Sequence, residues 1–247
     1  SLNTFLNAMT YPDKTVYPVA SCNDKDFQNL MHVYMDAVLY PNIYQHEEIF
    51  RQEGWSYKLD SPEGELQYNG VVYNEMKGAF SSPESVLDRV ILNTLFPDTS
   101  YANESGGDPE YIPDLTMNSS WISTGNIIIR PTVIFICYGN MDMDEKLEWL
   151  DREYLCHFDK IEVDSEIRFQ EPFGKMVERE LPYSIASDES ESDNTYLSYN
   201  KVIGTSLDRE LYLAFQILDY ALLSAPGAPL KKALTGSGDW KGYYGLL

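Results

Sequence analysis

The chain has 247 residues, enough for one large core or two modest ones. Its net charge of −21 repels nucleic-acid phosphates and anionic membranes and favours basic partners such as cationic peptides, although an acidic surface can serve solubility alone. No apolar run reaches the roughly 20 residues needed to cross a bilayer, and no signal-peptide pattern opens the chain, so neither nucleic acid nor membrane is expected as a partner.

The opening stretch, residues 2–21, carries two extended runs around Tyr11-Pro12-Asp13-Lys14. Turn chemistry at the Pro12-Asp13 pair and alternating Thr, Phe, Val and Tyr predict a β-hairpin. "NDKDFQNLMHVYMDAVLYP", residues 23–41, reads as a helix, capped by Asn23 or Asp24 and with Pro41 following its end. Its stripe is Phe27, Leu30, Met31, Tyr34, Val38 and Leu39, at helical spacing. Residues 43–54 predict a shorter helix with Gly54 at its end, and "WSYKLD" a strand.

"YNGVVYNEMKG", Tyr68 to Gly78, sets a carboxylate, Glu75, among apolar and small residues. On a helix Val71, Val72, Glu75, Met76 and Ala79 fall on one side. Glu75 is therefore expected to face inward, where a charge needs an Arg, a Lys or a metal beside it. A partly exposed helix residue is the plainer reading. The next helix starts at Ser82-Pro83 and ends before Pro97, and a loop follows around "SGGDP".

Met117–Cys137 then contains no Asp, Glu or Lys, and "TVIFICYG", which overlaps its end, predicts a buried strand. A helix follows over about 142–158. Residues 162–173 are charged and aperiodic, and a unit boundary is expected near 160–175. "KMVERELPY" and "NTYLSYNKVIG" alternate like strands around the acidic loop "SDESESDN". "SLDRELYLAFQILDYALLS" is an amphipathic helix, and "APGAPLKKAL" begins another.

Cys22, Cys137 and Cys156 are odd in number and widely spaced. This argues against a disulfide framework or a cysteine zinc site and fits a reducing compartment. His32 reads as a packing residue, and His46 and His157 as helix-surface or helix-end residues. None has metal-ligand spacing to another. The element order gives an α+β fold, with antiparallel hairpins and helices on a face.

Several motifs, in order, then carry a resemblance: "FLNAMTYPDKTVYPVAS", "DFQNLMHVYMDAVLYP", "FRQEGW", "GVVYNEMKGAFSSPES" and "SGGDPEYIPDLT". The chain resembles the insulinase/pitrilysin-type zinc metallopeptidases, in their presequence protease and falcilysin branch. The resemblance covers residues 1–116 strongly and about 138–234 more diffusely. It implies an antiparallel sheet with helices on one face. Residues 1–160 would be a partial catalytic-type domain, and 161–247 the start of a second, non-catalytic domain of the same fold.

The resemblance further implies that Glu75 is the third protein ligand of a catalytic zinc. The other two are the histidines of an H-x-x-E-H motif whose Glu is the general base. Asn7 and Ala8 would lie on an edge strand that binds substrate peptide by strand addition. No H-x-x-E-H occurs in the chain. The resemblance therefore places the general base upstream of Ser1, leaves no catalytic residue here, and implies a fragment truncated at both ends. Zn2+ would belong to the intact parent and not be retained by the fragment.

The implied function is that of a fragment of a zinc metalloendopeptidase degrading unstructured, possibly basic, peptides. It would be bacterial cytoplasmic, or alternatively in an organelle matrix. The alternatives are a non-catalytic peptide-binding or assembly module of the same fold, or a truncated product without function. Relatives carry a helix, His-Pro-Ser-Asn and a strand where this chain has Met117–Cys137. Shifting the frame by one base can recode that stretch into the family pattern, and a similar shift does so for the tail "GDWKGYYGLL". Compensating frameshifts are the expected cause, and the nucleotide sequence tests it.

Overall fold

The computed structural model describes residues 3–118, 133–159, 162, 164–192 and 194–238. It is a mixture of helices and three small antiparallel sheets, an α+β composition. The chain divides into two compact units, Ser1–Ser198 and Tyr199–Leu247.

The first unit opens on the expected hairpin. Strands β1 (Phe5–Leu6) and β4 (Val19–Ala20) pair, as do β2 (Met9–Thr10) and β3 (Thr15–Val16). Both ladders share one register, with Phe5 opposite Ala20 and Met9 opposite Val16. Between them Asn7 faces Pro18 and donates its N–H to the Pro18 carbonyl at 3.1 Å. Pro18 has no N–H to return, so the ladder breaks in two there. The turn closes with Tyr11 N–H donating to the Lys14 carbonyl at 2.8 Å.

Helix α1 (Asp24–Leu39) follows, with the Asn23 side chain accepting the Asp26 N–H at its start. All six residues of the expected stripe are buried or half-buried. A 3₁₀ turn (Asn42–Tyr44) leads to α2 (Glu47–Glu53), then β5 (Ser56–Lys58) and β6 (Gln67–Asn69) pair antiparallel. Helix α3 (Val71–Ala79) starts immediately after β6, and α4 (Pro83–Leu95) has Ser82 as its cap and Pro83 in its first turn. Phe50, Trp55, Met76 and Ile112 form the core of this region, with Val72, Tyr73 and Phe80 packed around it. The Trp55 indole donates to the Leu115 carbonyl at 2.9 Å.

Gly70 fixes how α3 enters that core. Its φ is +151°, and a Cβ there would lie 2.2 Å from the Gly54 carbonyl oxygen. Only glycine lets the start of α3 approach the end of α2 so closely. The Tyr73 N–H then donates to the same Gly54 carbonyl.

Helix α5 (Met143–Glu153) is capped by Asp142 and bonded to α1 through side chains. Lys146, buried despite its charge, donates to Gln28 at 2.9 Å. Tyr154, just beyond the helix, is buried and donates to Asp36 at 2.8 Å. Burial, then the Asp36 carboxylate, push its phenol above the ordinary value. In the second unit α6 (Arg209–Asp219) runs through a π-helical turn (Tyr220–Ser224) toward α7 (Pro229–Gly236).

Three strand expectations fail. Residues 133–138, 175–183 and 194–204 adopt no regular strand. A period of two marks where side chains can alternate, but a strand also needs a neighbour to bond. Among the described residues none of these segments joins a sheet; Tyr183 meets the third segment only through its side chain, donating to the Asn194 carbonyl and packing edge-on to Tyr196 at 5.4 Å. His32 is also more exposed than a packing residue, edging Trp149 and Tyr154 and paired with Asp36 at 3.5 Å. Most of the segment expected to be frame-shifted, 119–132, lies outside the described residues, as does most of the tail.

Candidate functional site

The hairpin edge follows from the ladder. Asn7 and Tyr11 spend their N–H groups on the returning strand, and Phe5 and Met9 share their parity. In an antiparallel pair alternate residues turn their backbone groups the other way. Leu6, Ala8 and Thr10 therefore present N–H and C=O to the opposite, open edge. The Ala8 N–H is covered there by its neighbour, with Asn7 Oδ1 accepting at 2.8 Å. Both residues are exposed. Among the described residues no strand pairs with this edge, where Ala8 and the Asn7 side chain lie, the geometry that adds a further strand.

Glu75 is on α3 as expected, but it faces solvent. Successive residues of a helix turn by about 100°, and Met76 is the one buried at the core. Val72, Tyr73 and Phe80 pack beside Met76. That leaves Val71, Asn74, Glu75 and Gly78 on the open face. Among the described residues the Glu75 carboxylate has no ion-pair or hydrogen-bond partner, and in water it needs none. No hydrogen bond or ion pair joins it to Asn7 or Ala8.

A catalytic zinc takes three protein ligands. Among the described residues no three His, Cys, Asp or Glu side chains converge on one point. The donor set present does not fit a zinc ion, because one carboxylate supplies one ligand.

The loop after α4 holds α3 in place. Gly106, with φ +90°, comes so close to Met76 that a Cβ there would meet its sulfur at 2.6 Å. The same loop carries Glu104, which pairs with Arg89 of α4 at 2.9 Å, both side chains largely covered. The Arg89 guanidinium also lies 3.9 Å over the Phe80 ring. Burial pushes the Glu104 carboxyl up, an effect that Arg89 opposes and Asp108 reinforces. Sequence reading missed this pair. An Arg on the half-buried side of α4, facing an acidic loop, was its only signal. It also missed an apolar hollow of about 220 Å³ lined by Leu39, Tyr40, Pro41, Tyr44, Gln45 and Phe158.

No protein-family model matches the chain. Individual proteins do. Protein HypA of Clostridium perfringens is 54% identical over 246 residues, 99% of this chain and 25% of that protein. Presequence protease 1, chloroplastic/mitochondrial, of Arabidopsis thaliana is 39% identical over 241 residues, 96% of this chain and 22% of that protein. The mitochondrial presequence protease of Xenopus tropicalis is 35% identical over 240 residues, 95% of this chain and 23% of that protein. The chain thus spans about a quarter of the length of these relatives. No helix among the described residues is long and apolar enough to cross a membrane. Similarity that runs through nearly every residue of the chain, hairpin edge and α3 included, makes it homologous to a segment of the presequence proteases.

Proposed function

We propose that the chain is part of a zinc-dependent metalloendopeptidase that degrades unstructured peptides, and that alone it has no peptidase activity. The observation that carries this is the similarity to presequence proteases over some 95% of the chain. Two features support it. The open edge at Leu6–Thr10 offers backbone groups to an extended peptide, and such a peptide must be unfolded to lie along it. Glu75 stands on the open face of α3, without a competing partner among the described residues, as a carboxylate awaiting a metal must.

In this reading Glu75 is one zinc ligand, and the other two and the general base belong to the rest of the longer protein. Zinc there would lower the pKa of a bound water and polarise the scissile carbonyl. The fold would be the insulinase/pitrilysin type. Residues 1–160 would belong to the first domain and 161–247 to a second of the same kind. Substrates would include basic peptides, drawn by the charge of −21. The compartment would be the bacterial cytoplasm or an organelle matrix.

Two measurements test the reading. In the longer protein Glu75→Gln is expected to lower bound zinc and peptidase activity together; unchanged zinc content by metal analysis removes Glu75 from the ligand set. The 247-residue chain, dialysed against a weak chelator, is expected to keep no stoichiometric zinc, and one zinc per chain would contradict this. The open edge at Leu6–Thr10 also fits a second reading, a peptide-binding or assembly module without catalysis. Under it, the longer protein would bind peptides equally well with and without zinc and cleave none.

A further inference from the structure

Helix α1 and the end of α5 meet at a triangle of polar side chains. His32 and Asp36 stand one turn apart on α1, and Tyr154 reaches them from just beyond α5. The Tyr154 hydroxyl lies 2.8 Å from Asp36 Oδ1 and 3.2 Å from His32 Nδ1. It also lies 3.2 Å from the His32 carbonyl, a further acceptor. The third side of the triangle sets His32 Nε2 3.5 Å from Asp36 Oδ2. A phenol has one proton. The carboxylate, its shortest contact, takes that proton, so toward Nδ1 the oxygen can only accept. The carboxylate can only accept as well. Both nitrogens of the His32 imidazole therefore face acceptors.

A neutral imidazole carries one N–H and cannot serve both. With the proton on Nδ1, the Nε2 lone pair is turned on the carboxylate. With the proton on Nε2, the Nδ1 lone pair meets that of the phenol. We propose that His32 is a pH-operated fastener between α1 and the end of α5, closed when the imidazole takes up a second proton. Nδ1–H then donates to the phenol oxygen, Nε2–H faces the carboxylate, and the phenol donates to the carboxylate. Every side of the triangle is then matched. The proton comes from bulk water, which reaches the His32 and Asp36 side chains at 58% and 54% exposure. Water does not replace the phenol contact, because Tyr154 is only 2% exposed.

A histidine whose charged form gains partners stabilises the fold while protonated and stops doing so as pH rises through about 5 to 8, the range in which histidines titrate. Across that range the phenol stays a donor, since burial and then the Asp36 carboxylate hold it above its ordinary value. Glu153 and Tyr40 act on the phenol in the same direction. Lys146 of α5 is directed at Gln28, one turn before His32. Trp149 of α5, which is uncharged, flanks the imidazole at 5.9 Å. Among the described residues the His157 imidazole has no hydrogen bond or ion pair to the triangle, although its N–H bonds to the Tyr154 carbonyl.

The test is hydrogen exchange of the 247-residue chain, read as protection factors at the Leu150–Tyr154 amides between about pH 8 and about pH 5. Protection is expected to rise by about threefold toward the acid end, the size of an exposed ion pair, with no matching rise in α3. His32→Gln and, independently, Tyr154→Phe are expected to abolish the rise with an unchanged circular dichroism spectrum. Should either variant alter the spectrum, the other decides. His157→Gln is expected to keep the rise. Protection that does not change with pH, a rise of equal size in α3, a rise that survives in a folded His32→Gln or Tyr154→Phe, or one lost in His157→Gln overturns the proposal.

Discussion

Glu75 shows how a residue can be identified by its neighbours and misplaced by its periodicity. Its spacing to Val72, Met76 and Ala79 made it look like part of an apolar stripe. The stripe that packs is centred between Met76, Tyr73 and Phe80, which leaves Glu75 on its flank. Glu75 is held by what lies behind it, and that is Met76 against Gly106 and Gly70 against Gly54. Gly70→Ala is expected to cost about 3 kcal/mol, because the Cβ must displace backbone that cannot yield. Faster exchange of the Trp55 indole N–H would report it, and an unchanged rate would refute it. Asp26 supplies a pH-dependent contact. Hydrogen bonds from Ser21 and then Thr4 hold its carboxyl below the ordinary value of 3.8, and Thr4 Oγ1 lies 2.7 Å away. For a depressed carboxylate the contribution is full above the unfolded value and is lost as pH falls through the folded one. The link from hairpin to α1 is therefore expected to loosen only below about pH 4. Thr4→Ala should raise the Asp26 titration midpoint as followed by carboxyl NMR; an unmoved midpoint would contradict the contact.

At the scale of elements, local chemistry was legible where the element satisfies itself. The hairpin follows from Pro12-Asp13, α1 from Asn23 and its stripe, and α4 from Ser82-Pro83. Helices bond internally and a hairpin carries its own partner, so nearby residues suffice to specify them. Val133–Tyr138, 175–183 and 194–204 look as strand-like in sequence, yet a lone strand depends on residues far along the chain, and no local pattern reports whether they are present. The candidate site divides in the same way. Ala8 was placed on an edge by resemblance, and hairpin parity supports it. The Arg89–Glu104 pair joins a helix to a loop 15 residues later and left no periodic trace. Asn23→Ala is expected to destabilise α1 by about 1 kcal/mol. Urea unfolding followed by circular dichroism would measure it, and a change within error would show that the Asp26 N–H finds another acceptor. Ala8→Pro removes an N–H that bonds only to the Asn7 side chain and not across the hairpin. It is expected to weaken binding of an extended peptide by about tenfold while leaving the Tyr11–Lys14 turn intact; retained affinity in a calorimetric titration would move the peptide elsewhere.

For the whole molecule, charge is the property that sequence states outright. A chain of −21 is expected to gather cationic ligands from a distance and to lose that advantage as salt screens it. The association rate of an arginine-rich peptide is expected to fall by about tenfold between about 0.01 and 0.15 M salt. A stopped-flow rate independent of salt would show that the acidic surface serves solubility only.

The break that Pro18 makes in the hairpin has a mechanical side. The two ladders, Phe5–Leu6 with Val19–Ala20 and Met9–Thr10 with Thr15–Val16, are joined across the middle by the single bond from Asn7 to the Pro18 carbonyl. One bond is a pivot, about which the tip can twist against the base. A peptide strand laid along Leu6, Ala8 and Thr10 would cross that pivot and bond to both sides of it. The ligand would act as a splint, and the hairpin would be stiffest when its edge is filled.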